Sequence, residues 1–164
     1  GGLHLNTDFK EEQLNLGRAF SFVYGDKENG AFFSHMEIMY SYALYKQGFV
    51  KEGYEAISSL YKMCLDTQRS RIYPCLPEYF NAEGRGMYSY LTGSASWFLF
   101  TLLTQVFGIR GEYGDLVIEP KFTQEQFKNQ FLRPEGRSLS EIDTERPNPI
   151  RALKDTVLWP RMYK

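Results

Sequence analysis

Thr92, Gly93, Ser94 and Ser96 stand directly ahead of the apolar run Phe98 to Phe107, within Tyr90-Leu91-Thr92-Gly93-Ser94-Ala95-Ser96-Trp97. Hydroxyl residues and a glycine in front of an apolar run mark a helix start. The first backbone N–H groups of a helix have no partner within it, and the helix dipole puts partial positive charge at the same end. A phosphate, sulfate or carboxylate fits there, and the Thr92 and Ser94 hydroxyls would add donors. The same residue types are ordinary caps that need no ligand, so at this level both readings stand.

Other groups with chemistry stand elsewhere in the chain. His35 precedes an earlier apolar segment. Its imidazole can donate to an anion, or bond a backbone carbonyl at a helix start. The long connection over residues 67–91 carries Arg69, Arg71, Glu78, Tyr79, Asn81, Glu83 and Arg85 among two prolines and two glycines. Long loops inside compact domains are often functional, and this one leads straight into Thr92. Cys64, Cys75, His4 and His35 lack metal-ligand spacing, so no metal site is expected.

The elements that must position these groups are mainly helical. Residues 30–47 carry Phe32, Met36, Met39, Ala43 and Leu44 on one predicted face, and Gly48 is a suitable stop. Val50, Tyr54, Ile57, Tyr61 and Cys64 recur at intervals of four and three, so a second helix follows and forms an antiparallel hairpin with the first. A third helix is predicted from about Gly93 to Phe107 on the stripe Ala95, Phe98, Leu102 and Val106, ended by Gly108. Residues 115–119 read as a short strand closed by Pro120. From about residue 123 the pattern loosens, and Pro147-Asn148-Pro149 suggests an extended tail.

Composition narrows the function. The 164 residues fit one domain with a real core. With 19 basic and 20 acidic residues, the chain has no basic excess of the kind a nucleic-acid or anionic-membrane surface needs. The longest apolar stretch is too short and broken to span a bilayer, no secretory signal opens the chain, and a reduced, cytoplasmic setting is the default expectation. Aromatic residues make up 16%, enough to line a sugar site as well as to fill a helical core.

Taken in order, Asn29-Gly30-Ala31-Phe32-Phe33-Ser34-His35, the helical hairpin, Pro77-Glu78-Tyr79, Leu91 to Trp97, Phe107-Gly108-Ile109-Arg110 and Leu116 to Pro120 resemble glycoside hydrolase family 94. This family comprises inverting disaccharide and oligosaccharide phosphorylases, together with the phosphorylase-like domain of cyclic β-1,2-glucan synthases. The similarity runs from about Gly2 to Phe127. Pro77 to Trp97, with Arg85-Gly86-Met87-Tyr88 inside it, looks closest to the 1,2-β-oligoglucan phosphorylases.

The resemblance implies that residues 1–114 are the C-terminal portion of an (α/α)6 barrel, that 115–127 begin a β segment, and that 128–164 form a tail to which nothing transfers. It assigns His35, Thr92, Gly93 and Ser94 to inorganic phosphate, which is a substrate; no cofactor is implied. Glu78 falls where the family places a polar residue, commonly Gln in the cellobiose enzymes, near the donor sugar, and Tyr79 follows it. A carboxylate there argues against strict cellobiose specificity. The implied parent reaction is reversible, inverting phosphorolysis of a β-linked glucooligosaccharide to α-glucose 1-phosphate, commonly in homodimers. The family's general acid is an aspartate well upstream of Asn29, and no residue of this chain matches it. Asp8 is the nearby carboxylate one might propose, with a structural role the better reading. Three helices cannot close a six-hairpin toroid, so the isolated chain is expected to be a C-terminal piece lacking its acid. A synthase domain and a non-catalytic, glycan-binding or structural helical module are the alternatives.

Overall fold

The computed structural model describes residues 2–73, 75–89 and 92–126. Tyr90, Leu91, Phe127 and the tail of 128–164 lie outside the described residues. The chain divides into two compact units, Gly1–Thr123 and Gln124–Lys164. Of the second only 124–126, helical in conformation, are described. The strands and helices that carry the candidate site all lie in the first.

The N-terminal third is irregular apart from a 3-10 segment, Leu14–Ser21, broken at Gly17. Strand β1 (Phe32–Phe33) runs directly into helix α1 (Ser34–Lys46). Helix α2 (Val50–Leu65), a single turn α3 (Thr67–Ser70), strands β2 (Tyr79–Phe80) and β3 (Gly86–Met87), and helix α4 (Ser94–Thr101) come next. The last helix continues as a π-helical turn over Leu102–Val106, and β4 (Ile109–Glu112) with β5 (Asp115–Ile118) closes the unit. The described residues are thus mainly helical with small strand segments, and no described helix is long and apolar enough to cross a membrane.

The predicted α1–α2 hairpin forms. Gly48 sits at φ 87°, the Phe49 N–H reaches the Leu44 carbonyl at 2.9 Å, and the Gly48 N–H reaches Tyr45 at 3.1 Å. This paired closure satisfies carbonyls that a helix end leaves bare. The helices then approach closely because Gly53 has no side chain. A Cβ there would lie 2.7 Å from the Tyr45 ring, and Ser41 Oγ donates to the Gly53 carbonyl at 2.8 Å.

The buried faces differ from those expected. Met36 and Met39 are 43% and 47% exposed, whereas α1 buries Ser34, Glu37, Ile38, Ser41 and Tyr45. The polar members of that stripe have tertiary uses: Glu37 Oε2 accepts the Leu3 N–H at 2.9 Å, and Ser41 binds Gly53. The Ser34 and Tyr45 hydroxyls on the same face are buried without a partner among the described residues, so packing as well as hydrogen bonding turns the helix away from its most apolar face. In α2, Ile57 is buried as expected, but Tyr54 and Tyr61 are exposed while Gly53, Ala56 and Leu60 are inside. In the third helix Val106 is buried and Ala95 exposed, with Ser94, Thr101 and Gln105 filling the inner face. Phe98 packs against both core clusters, one around Phe32, Ile38, Leu60 and Phe80, the other around Tyr45, Ile57 and Val106.

The connection read as a loop carries structure. β1, β2 and β3 form an antiparallel sheet, with Phe32 opposite Phe80 and Tyr79 opposite Met87. The β2–β3 turn is organised by Asn81, whose Oδ1 accepts the Glu83 and Arg85 N–H groups. Strands of two residues have no alternation to read. β5 matches the predicted strand, and its partner β4 pairs Ile109 with Ile118 and Glu112 with Asp115. Tyr113 and Gly114, both at positive φ, make the tight turn between them. Beyond β5, Lys121 Nζ fastens the chain to α1 by donating to the Tyr45 carbonyl at 2.9 Å.

Candidate functional site

His35 is the second residue of α1, placed at the strand–helix junction by the three-stranded sheet. The Ser34 N–H donates to the Glu78 carbonyl at 3.0 Å, and the Glu78 N–H is held by the Met87 and Tyr88 carbonyls. Backbone pairing therefore brings residues 32–35 beside residues 78–88. The start of α4 arrives at the same place. A Cβ on Gly93 would lie 3.3 Å from His35 Cε1 and 3.8 Å from Nδ1. His35, Gly93 and the backbone of Glu78 are therefore brought together.

The Thr92–Ser94 turn is internally bonded. Thr92 Oγ1 accepts the Ser94 N–H at 3.2 Å and shares a hydrogen bond of 2.8 Å with Ser94 Oγ. Ser94 is fully buried, so its hydroxyl supports the turn from inside. Gly93, at the N-cap, receives no side-chain hydrogen bond. The first helical bond is Trp97 N–H to the Gly93 carbonyl at 3.0 Å. The N–H groups of Gly93, Ala95 and Ser96 have no partner among the described residues, and these three residues are exposed. His35 turns Cε1 and Nδ1 toward Gly93, while its Nε2 is buried without a hydrogen-bond partner among the described residues.

Tyr79 occupies a different kind of position. It is 1% exposed, stacked on Phe33 at 5.3 Å, and its hydroxyl donates to Asp26 Oδ1 at 2.8 Å. Burial, then the Asp26 hydrogen bond, push its phenol well above the usual tyrosine range. It lines a cavity of about 460 Å³ with Phe22, Asp26, Lys27, Met87 and Tyr88. Lys27 Nζ sits 4.1 Å over the Tyr88 ring, a cation–π contact. A flat ring, a cation and a carboxylate around one small cavity suit a polyhydroxylated ring, which offers both an apolar face and hydroxyls. Phe22, Asp26, Lys27 and Tyr88 were missed in the sequence because they lie in irregular backbone with no periodicity. The charged pair Asp26-Lys27 beside the turn at Gly25 was the signal available. A larger cavity, about 560 Å³, lies between α2 and the β2–β3 turn; it is lined by Arg69 and Asn81 of the connection expected around Thr92, but not by His35, Glu78, Tyr79 or the Thr92–Ser94 turn.

Candidate acids and nucleophiles are few. Asp8 is bonded by the Lys10 ammonium at 2.7 Å and by the Lys10 N–H. Those bonds hold its carboxyl below the usual range, the wrong direction for a proton donor. Burial raises the Glu37 carboxyl, but Glu37 is 2% exposed and faces Leu3. Burial pushes the Cys64 thiol up to about 11, which leaves it protonated and unreactive.

No family model matches the chain. It is 22% identical over 166 residues to the cellobionic acid phosphorylase of Neurospora crassa, a match covering 88% of this chain and 21% of that protein. The chain is therefore distantly similar to a carbohydrate phosphorylase, and spans about a fifth of the length of the curated relative it matches.

Proposed function

We propose that this chain is the phosphate-binding, C-terminal part of a family 94 carbohydrate phosphorylase with an (α/α)6 catalytic barrel. The parent reaction is inverting, reversible phosphorolysis of a β-glucoside, with a β-1,2-glucooligosaccharide as the preferred substrate class. The observation that carries this reading is the His35 imidazole, with Cε1 and Nδ1 toward Gly93, beside the Gly93, Ala95 and Ser96 N–H groups that have no partner among the described residues. The phosphorylase similarity supports it.

In this reading inorganic phosphate sits against the Gly93, Ala95 and Ser96 N–H groups and takes a further hydrogen bond from His35. Thr92 and Ser94 hold the turn in shape. The phosphate oxygen attacks the anomeric carbon from the face opposite the departing sugar, and a general acid protonates the glycosidic oxygen as that bond breaks. Phosphate takes the place that water and a second carboxylate occupy in an inverting hydrolase. The acid belongs to the part of the parent outside this chain. Glu78 reaches the donor sugar, and the cavity of Asp26, Lys27 and Tyr88, floored by Tyr79, receives sugar.

The test is release of glucose 1-phosphate from β-1,2-glucooligosaccharides and from cellobiose, by the chain alone and by a polypeptide extended upstream. The expected result is phosphate-dependent product from the extended form only. Free glucose released without phosphate would overturn the phosphorylase reading in favour of hydrolysis, and no product from either form would overturn it in favour of a non-catalytic module.

A further inference from the structure

Imidazoles that work on a ligand are normally oriented by a hydrogen bond to their second nitrogen. His35 has none: neither ring nitrogen bonds a described residue, and Nε2 is buried. Among the described residues its orientation rests on packing. One flank is Gly93. The other is Trp97, whose ring centroid lies 5.6 Å from that of His35 with the planes tilted by 53°.

Trp97 is itself wedged. It meets Tyr42 edge-on at 5.9 Å and Phe100 edge-on at 5.6 Å, while Tyr42 and Phe100 stack on each other at 5.6 Å. Tyr42 stands seven residues beyond His35, two turns along the same face of α1, and Phe100 one turn beyond Trp97 in α4. The three rings thus tie the two helix starts together. Through its backbone, Trp97 also closes the first hydrogen bond of α4, to Gly93. A single residue therefore touches the imidazole with its ring and the Gly93 turn with its main chain.

We propose that Trp97 is the positioning residue of the anion site, holding the His35 imidazole against the Gly93 turn by ring packing. This rests on the phosphate reading above. The indole stands in for the absent hydrogen-bonded orienter, and Tyr42 and Phe100 keep it from turning away.

The test uses this chain, inorganic phosphate followed by phosphorus NMR, and the His35 ring protons followed by proton NMR. Trp97→Leu is expected to weaken phosphate binding about tenfold, the worth of one charge-assisted hydrogen bond. Trp97→Phe should restore most of it, and Trp97→Leu should cost nothing further in a His35→Gln background. In the wild type the His35 Cε1 proton should show a ring-current shift that Trp97→Leu removes. This resonance also decides the matter should Trp97→Leu fold poorly, because its absence in the wild type would overturn the proposal. Equal losses from Trp97→Leu with and without the imidazole would make Trp97 merely structural. Wild-type phosphate affinity in His35→Gln would overturn the phosphate reading itself, whereas a loss in His35→Gln with none in Trp97→Leu would overturn only the positioning role.

Discussion

At the scale of single residues, Gly93 is constrained by its neighbour rather than by its backbone. Its φ of −68° suits any residue, yet a side chain would press on His35 Cε1 at 3.3 Å. Gly93→Val is therefore expected to displace the imidazole and weaken phosphate use about tenfold or more in the parent, with little change in sugar binding. Separate Michaelis constants for phosphate and sugar check this, and an equal rise in both would return Gly93 to a packing role. Glu37 supports a second prediction. Burial raises its carboxyl, so the folded state holds this proton more tightly than the unfolded chain. The stability it contributes is fully present below the ordinary glutamate value and lost as pH rises through the raised folded value. Melting temperature should fall across that window in the wild type, and the slope should flatten in Glu37→Gln. An unchanged slope would place the titration elsewhere.

At the scale of elements, two glycines hold the architecture. Gly53→Leu drives a side chain into the Tyr45 ring and should cost about 1–3 kcal/mol, the usual penalty of overpacking, read from denaturant unfolding. Gly108 sits at φ 64°, and a Cβ there would run into the Glu119 carbonyl, whose own N–H donates back to Gly108 at 3.0 Å. Gly108→Ala should loosen the β4–β5 hairpin from the π turn, seen as faster amide exchange at Glu119 and Lys121. The hairpin of α1 and α2 was legible because the Gly48 stop and the period of α2 are local signals. The start of α4 and β5 were legible for the same reason. The inward faces of α1, α2 and α4 were not, because Ser34, Glu37, Ser41, Gly53 and Thr101 are buried by tertiary packing that no periodicity announces. The same limit hid the three-stranded sheet. The adjacency of His35 and Gly93 came from the ordered resemblance, while Lys27, Tyr88 and the wedge around Trp97 needed coordinates.

At the scale of the whole molecule, Met36, Met39 and Tyr40 of α1 and Leu99, Phe100, Leu103 and Phe107 of the last helix are more than two-fifths exposed. Apolar surface of that extent is unusual on a chain that stands alone, and it is what barrel helices would present to neighbours. The isolated chain should therefore self-associate with rising concentration. Sedimentation velocity should show this, and Leu99→Glu with Leu103→Lys should shift it toward monomer. The same scale sets the order of events when the chain folds. The α1–α2 hairpin joins segments next to each other and can close early, whereas the bond from Ser34 to Glu78 must wait until both helices are in place. A chain emerging from synthesis would thus own two complete helices while the partners that later flank His35 are still to come.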